Sequence, residues 1–266
     1  MQSLEHPRGA PPHTAQSALR TTAILLLAAL PILGATSMAE ARWRMPLPEG
    51  PTPNRLNEGL AAKQQAYSPD GAEAFMQTWN AYYRSDDGHH IFANVAISHL
   101  GIGSTCGLNL AITTPDGRTL LETEQLDGDD ELKASKSAVQ LRCGRTSMRG
   151  TPRKLRIQGR LETLGLDVTV EQGPPGVDTD TLWLDEDRDL FARYNVPHLG
   201  SRMKGRLRYD GAWHEIDGFG AVEHFVTNHG LEKFSKLWHR VRLMEDGVSL
   251  MLGGFTPTED YERGVY

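Results

Sequence analysis

The sequence lacks an excess of positive charge. Its 266 residues include 28 lysines and arginines against 34 aspartates and glutamates, which gives a formal net charge of -6. Polyphosphate binding usually needs a concentrated basic face, so this balance argues against a nucleic-acid-binding protein. Basic residues do cluster between Arg142 and Arg160, but from Leu155 onward they alternate with apolar residues. That alternation is typical of the solvated face of a strand rather than of an anion site.

The sequence also lacks an apolar run long enough to span a membrane. The most apolar stretch, Thr21–Gly34, is interrupted by Pro31 and falls short of the roughly 20 residues that a membrane-spanning helix needs. Arginines precede it and a string of small residues follows it, which is the order found in a secretory signal. We therefore predict a signal peptide over residues 1–39, with cleavage near Ala39 or Ala41. The mature protein is expected to be exported, either periplasmic or secreted, without a permanent membrane anchor.

A proline-rich segment follows the predicted signal peptide. Residues 40–72 contain five prolines and little apolar periodicity. This composition is typical of an N-terminal arm or linker. The domain itself is then predicted to cover residues 73–266, which is long enough to bury a proper core.

From Phe75 onward the sequence lacks any convincing helix of three turns. It contains instead about a dozen short runs rich in aromatic and β-branched residues, as strands do. Asp-Gly pairs, which favour tight hairpin turns, separate neighbouring runs at Asp87-Gly88, Asp116-Gly117, Asp210-Gly211 and Asp217-Gly218. The pattern predicts an all-β fold, either an antiparallel β-barrel or a strongly curled β-sandwich.

Cysteine is scarce, with Cys106 and Cys143 the two in the sequence. In an exported protein these two meet an oxidising compartment that permits a disulfide. Closing a loop of this size stabilises a fold by roughly 3–4 kcal/mol in the chain-entropy model. Each cysteine lies in a predicted strand whose register the sequence does not define, so two buried thiols remain the alternative.

Familiar catalytic and metal-binding motifs are missing as well. There is no G-x-S-x-G segment, and no helix follows Gly101-Ile102-Gly103 that would let it cradle a phosphate. Four histidines, His214, His224, His229 and His239, lie in one region but lack the spacing of zinc ligands. We predict neither a metal site nor a cofactor.

The stretch Gly205–Asn228 is the most informative part of the chain, because it combines two Asp-Gly turns with a histidine that directly follows a carboxylate. With its surroundings it resembles the bacterial carotenoid 1,2-hydratases, their secreted AttH-like relatives and the yeast survival-factor proteins. The residues that carry the resemblance are Pro174-Pro175-Gly176, Tyr194–Pro197, Gly205–Gly211, Gly218–His224 and Trp238. The resemblance implies a lipocalin-like β-barrel.

The resemblance also implies a chemistry. In the hydratases a histidine, a nearby aromatic residue and a downstream acid are thought to protonate an isoprenoid double bond and deliver water to the cation. His224 and Glu223 match the acidic-His part of the family segment, whereas Val226 and Thr227 replace its tryptophan and glycine. Family members usually carry a second barrel, and we expect only one here.

Glu223 and His224 are therefore the predicted catalytic residues. As neighbours on a strand they point to opposite faces, so they do not form a dyad by themselves. An inward-facing His224 would act as a general acid or hold the polar head of a ligand, because burial readily moves the pKa of an imidazole. The alternative is a buried structural histidine.

A set of aromatic residues is predicted either to line an apolar ligand-binding cavity or to form plain core. Its members are Trp79, Tyr83, Trp213, Phe219 and Trp238.

The sequence favours an exported lipocalin-like barrel that binds a hydrophobic molecule, such as a lipid, fatty acid or isoprenoid, since an eight-stranded barrel is wide enough for one small ligand. Two alternatives stay open. The first is a hydratase or isomerase that acts on an isoprenoid double bond through His224. The second is an accessory barrel that works with a protein partner through the acidic stretch Asp178–Asp189, interpreted as a long exposed connection.

Overall fold

The computed structural model describes most of the predicted domain. The described residues are Tyr67 and residues 74–100, 103–151, 153–171, 173–174, 176–184, 190–245 and 248–258. They form almost exclusively antiparallel β-structure, which confirms the all-β prediction. The predicted signal peptide (1–39) and, apart from Tyr67, the predicted arm (40–72) lie outside the described residues.

Fourteen strands and two one-turn helices occur in the described part of the chain. They are β1 (Ala74–Ser85), β2 (His90–Leu100), β3 (Ser104–Thr113), β4 (Thr119–Asp127), α1 (Gly128–Glu131), β5 (Leu132–Ala134), β6 (Val139–Cys143), β7 (Thr146–Thr151), β8 (Lys154–Arg160), β9 (Gly165–Glu171), β10 (Val177–Trp183), β11 (Phe191–Tyr209), β12 (Ala212–Thr227), α2 (Leu231–Phe234), β13 (Ser235–Glu245) and β14 (Val248–Pro257).

Three of the predicted Asp-Gly turns are hairpin turns, between β1 and β2, β3 and β4, and β11 and β12. The predicted turn at Asp217-Gly218 is wrong, because this pair lies inside β12, where the missing side chain of Gly218 lets the backbone of Arg84 approach closely. In the turn between β11 and β12, Asp210 has a φ of 49° and Gly211 a φ of 77°. Two successive left-handed residues define the type I′ turn, whose twist matches that of the strands it joins. This turn therefore sets the register of the two longest strands.

The strands form one curled sheet. Eleven of them follow in the order β4-β3-β2-β1-β12-β11-β9-β8-β7-β6-β5, with β10 paired to β11 beside this path, and they make a nearly closed barrel. Side chains alternate between its two faces, so that Cys106, Leu108, Leu110 and Ile112 of β3 are all buried. Each such aliphatic side chain stabilises the fold by about 1.5–3 kcal/mol.

Side chains link the two ends of the strand order, where β4 and β5 are not paired with each other. A disulfide joins Cys106 of β3 to Cys143 of β6. Glu122 of β4 accepts hydrogen bonds from the backbone N–H groups of residues 162–164, at 2.6 to 3.2 Å. Burial raises the pKa of Glu122, but these bonds and one from the Thr163 hydroxyl outweigh it and hold the pKa below its usual value. We call this junction the seam.

The acidic stretch differs from its interpretation as an exposed connection. Its first part is strand β10, in which Val177 pairs with Val196 and Trp183 pairs with Phe191 of β11. Residues 185–189 lie outside the described residues. The sequence does not indicate a strand here because the aspartates interrupt the alternation of apolar and polar residues. Pairing with the long strand β11 outweighs the low strand propensity of aspartate.

Strands β13 and β14 form a separate two-stranded sheet against the outside of the barrel. Trp238 and Phe255 on its inner face pack with Phe225 and Phe234 in a second apolar cluster. The outer face exposes large apolar side chains, namely Leu237, Val241, Leu243, Leu250 and Leu252. The hairpin is thus held to the barrel through its inner face.

No helix in the described residues is both long and apolar enough to cross a membrane.

We expect the disulfide to stabilise the seam. Removing it in a Cys106→Ala, Cys143→Ala double variant should lower the free energy of unfolding by about 3–4 kcal/mol, because the two cysteines are 37 residues apart. Urea denaturation measures this, and the wild-type protein in reducing agent is the control for the lost cysteine side chains. A loss below about 1 kcal/mol in both samples would mean that polar contacts hold the seam without the disulfide.

Candidate functional site

The pairing of β1 with β12 decides which side chains reach the barrel interior. Trp79 lies opposite His224, and His224 lies opposite Asn195 of β11. Trp79 belongs to the apolar core, so its cross-strand partners point inward with it. His224 is completely buried inside the barrel.

His224 has two neighbours on β1. Its ring stacks on that of Trp79, with centroids 5.0 Å apart. The side-chain nitrogen Nε2 of Gln77 lies 2.5 Å from Nε2 of His224. The interior thus holds the imidazole of His224 between the ring of Trp79 and the side-chain amide of Gln77.

A second histidine, His198, also lies inside the barrel, and the sequence analysis missed it. It sits opposite Val222, between two register shifts of β11 that follow Asn195 and precede Ser201. Its side chain is completely buried, and burial lowers its pKa to about 4. His198 is therefore neutral at pH 7. Strict alternation from the inward-facing Asn195 would place the side chain of residue 198 outside the barrel. Its inward direction therefore follows only from the register shifts of β11.

Tyr83 of β1 is a further inward-facing polar group, and Arg193 and Ser201 of β11 also face inward. Tyr83 lies opposite Gly220 and is almost fully buried. Burial raises its pKa, and the nearby carboxylate of Asp217 raises it further. We call the group that the three strands bring together the interior polar set: Gln77, Tyr83, Asn195, His198 and His224.

Glu223 lies on the opposite, outer face. Its carboxylate accepts a hydrogen bond from Nε of Arg242 at 2.6 Å, and Nη2 lies 2.5 Å away. The guanidinium of Arg242 also covers the ring of Tyr82, 3.5 Å from its centroid. Burial, and then the charge of Glu223, raises the pKa of Tyr82. Glu223 therefore fastens β13 to the barrel and cannot reach His224 through the sheet.

The predicted aromatic set divides between the two faces. Trp79 and Tyr83 point inward. Trp213 and Phe219 are at odd positions of β12 and lie outside, where Arg206 and Arg202 approach their rings. Trp238 belongs to the cluster under the β13–β14 hairpin. Side-chain alternation thus places Trp213 and Phe219 outside the barrel, and Trp238 lies under the hairpin. Of the five predicted ligand contacts, Trp79 and Tyr83 are in the interior.

A separate polar network lies at the turn end of the barrel. Nδ1 of His89 is 2.8 Å from a carboxylate oxygen of Asp87, and its Nε2 is 2.9 Å from the hydroxyl of Tyr209. The ring of Tyr209 stacks on that of His214 at 3.9 Å. This network ties the β1–β2 turn to the β11–β12 hairpin. In the described residues, no three histidine, cysteine or acidic side chains are grouped to hold a metal ion.

An open cleft of about 390 Å³ lies where the β13–β14 hairpin meets the barrel. Tyr82, Phe92, Arg242 and Met244 line it, and Tyr83 is the one member of the interior polar set among its lining residues. The cleft thus lies against the outer face of β1 and β2, where Arg242 meets Tyr82.

Comparison with known proteins identifies the fold. No protein-family model matches the sequence, and no curated protein matches it. Solved structures do match: a protein from Nitrosomonas europaea named as an AttH has a TM-score of 0.58, kievitone hydratase from Nectria haematococca 0.54, and CghA 0.50, each at 10% sequence identity. At this identity the likeness shows the fold, and it confirms the predicted lipocalin-like barrel.

The three alignments differ in how much of each protein they include. They cover 83%, 80% and 78% of this chain. Of the matched structures they cover 69%, 65% and 61% in the same order. The chain thus spans about two thirds of the length of the structures that it matches.

Glu223→Gln tests the role of the outer carboxylate. The change leaves Arg242, whose side chain is 15% exposed, without a charged partner and should cost about 3 kcal/mol of unfolding free energy. Asp210→Asn is the matched control, because it breaks an ion pair with Arg118 in which both side chains are more than half exposed, and it should cost less than about 1 kcal/mol. Equal losses in urea denaturation would contradict an anchoring role for Glu223.

The buried His198 should make stability depend on pH. Its folded pKa of about 4 lies below the usual 6.5, so the unfolded chain binds the extra proton and stability falls as the pH drops from 6.5 to 4. The loss attributable to this residue is about 3 kcal/mol. His198→Leu should lack it, so the variant gains on the wild type by that amount between pH 7 and pH 4 in urea denaturation. Parallel pH profiles for the two proteins would refute this assignment.

Proposed function

We propose that the protein binds a hydrophobic small molecule inside the barrel and holds a polar group of that molecule against the interior polar set. The observation that carries the proposal is the burial of His198 and His224 together with other polar side chains in a largely apolar interior. Burying a polar group is costly unless it is hydrogen-bonded. An apolar pocket with a few convergent polar groups is the usual form of a small-molecule site.

The surroundings of these groups suit such a ligand. Ala81 and Ala93 are the inward residues of β1 and β2 beside the histidines, and Gly220 lies opposite Tyr83. Small side chains here would leave room for a molecule beside the polar groups, and Trp79 would offer it an aromatic surface.

A hydratase is the second candidate, because two histidines face the same interior. A neutral histidine would take a proton from water as the water oxygen adds to one carbon of a double bond, and the imidazolium so formed would give that proton to the other carbon. The buried carboxylate Glu223 faces away, so His198 and His224 would share this work. The fold likeness to kievitone hydratase adds to this candidate.

Export is part of the proposal. The signal-like N-terminal segment and the Cys106–Cys143 disulfide both fit an oxidising compartment.

The proposal is tested by native mass spectrometry of the protein purified from the exported fraction of its own cells. We expect a stoichiometric apolar ligand, which organic extraction then identifies. A protein that is empty on isolation and stays empty with lipid and isoprenoid mixtures would overturn the binding function.

His224→Ala separates the two candidates. A carrier should lose at most about tenfold in affinity for the recovered ligand, since one hydrogen bond is at stake. A hydratase should lose about 100-fold or more of its rate of water addition, read as hydrated product by mass spectrometry. His239→Ala, at an exposed histidine on β13, is the matched control and should change neither. A His224→Ala protein that does not fold would assign the residue to the core.

A further inference from the structure

The outer face of the barrel carries an apolar strip across its first four strands. Tyr82, Phe92, Ala111 and Leu121 lie opposite one another on β1 to β4, so their side chains form one row. The ring centroids of Tyr82 and Phe92 are 5.0 Å apart. Leu121, at the far end of the row, is 72% exposed. Because the solvated face of an antiparallel sheet is normally polar, this row indicates a surface that meets an apolar molecule.

Polar rows border the strip on both sides. On one side, the amide of Asn94 donates a hydrogen bond to Asn80 at 2.6 Å, and the amide of Asn109 donates one to Asn94 at 2.8 Å. On the other side, Arg84 of β1 lies opposite His90 of β2. The strip is therefore a narrow apolar band within a polar surface.

The β13–β14 hairpin turns one end of this strip into the open cleft of about 390 Å³. Arg242, Leu243 and Met244 of β13 form its second wall. Phe92 and Ala111 lie beside each other on its floor, and the small side chain of Ala111 leaves room there. A volume of this size is within the range of small-molecule sites. The cleft thus offers an apolar bed for the body of a ligand.

The charges around the cleft favour an anionic group on that ligand. Its lining includes the guanidinium groups of Arg84 and Arg242, and none of the described residues that line it is acidic. Glu223 holds Arg242 in place, whereas Arg84 lies at the exposed rim. A guanidinium has five N–H donors, so a carboxylate can bind Arg84 beside its other contacts. At the rim this anion stays close to water, which keeps its desolvation cost small.

We propose that this cleft, outside the barrel, is a binding site for an apolar molecule that carries one anionic group such as a carboxylate. The apolar body lies along Phe92, Ala111 and Met244, and the anion meets Arg84 at the rim. The site is independent of the interior function proposed above, because the side chains of Arg84, Phe92 and Ala111 are on the outer face of the barrel.

Two probes with the same alkyl chain and opposite head-group charge, decanoate and decylammonium, test the ligand class in calorimetric titrations at pH 7.5. We expect decanoate to bind about fivefold more tightly, since an ion pair at an exposed rim gives a modest gain. Arg84→Gln should bring the two affinities together. Arg149→Gln, at an exposed arginine of β7, is the matched control and should keep the preference. Equal affinities in the wild type would overturn the anionic class.

Ala111→Trp tests the location, because an indole at this outward position fills the cleft without entering the core. The variant should bind decanoate at least tenfold more weakly. Ser147→Trp, at an outward position of β7, is the matched control and should bind it normally. Phe92→Ala is a second variant that removes the aromatic floor, and it should also weaken decanoate binding about tenfold.

The outcomes separate this cleft from the interior site. Unchanged decanoate affinity in Ala111→Trp and in Phe92→Ala would overturn the cleft site. If decanoate binding were lost in His224→Ala and kept in Ala111→Trp, the ligand would lie inside the barrel, which would refute this proposal and support the interior function. Loss in Ala111→Trp with normal binding by His224→Ala is the expected result.

Discussion

The antiparallel pairing of β1 with β12 is the constraint on which the rest of the structure depends. It joins the two halves of the barrel and decides, for each residue of the paired segments, whether the side chain points into the barrel or out of it. His224 and Trp79 are turned inward by this register, and Glu223 is turned outward by the same one. A shift of a single residue would bury the carboxylate among aliphatic side chains and expose the histidine. The two surfaces of this strand pair thus differ: the inner one carries polar side chains in the barrel interior, and the outer one fastens the β13–β14 hairpin.

Stability and the candidate site place opposite demands on the interior. The aliphatic residues of β3, β8 and β9 supply the hydrophobic stabilisation, and the disulfide and Glu122 link the seam. Against these gains the fold buries His198 and the hydroxyl of Tyr83 without partners among the described residues. Natural proteins break local rules of packing mainly at functional sites and compensate elsewhere. That pattern, more than the fold itself, distinguishes this interior from plain core.

Much of the architecture was readable from the sequence. The start of the strands near Phe75, the hairpins at three of the predicted Asp-Gly turns and the opposite faces of Glu223 and His224 all follow from local rules, because turn chemistry and side-chain alternation involve residues close in the chain. Asp217-Gly218 does not form a turn, because pairing with β1 and β11 continues β12 through it. The positions of the aromatic residues were harder to predict, since side-chain alternation along β12 places Trp213 and Phe219 on the outer face. Strand β10 was not predicted, because its sequence is acidic and its strand conformation depends on pairing with β11.

The sequence by itself determined the all-β class, the hairpin turns and the relative orientation of neighbouring side chains. Only the tertiary structure decided which face is the inside, that Cys106 and Cys143 meet, that Arg242 pairs with Glu223, and that His198 joins His224 in the interior. The physical reason is the range of the interactions. Alternation with a period of two is local, whereas its absolute phase depends on pairing with a strand far away in the chain. A bulge reverses that phase, as the register shifts on either side of His198 do.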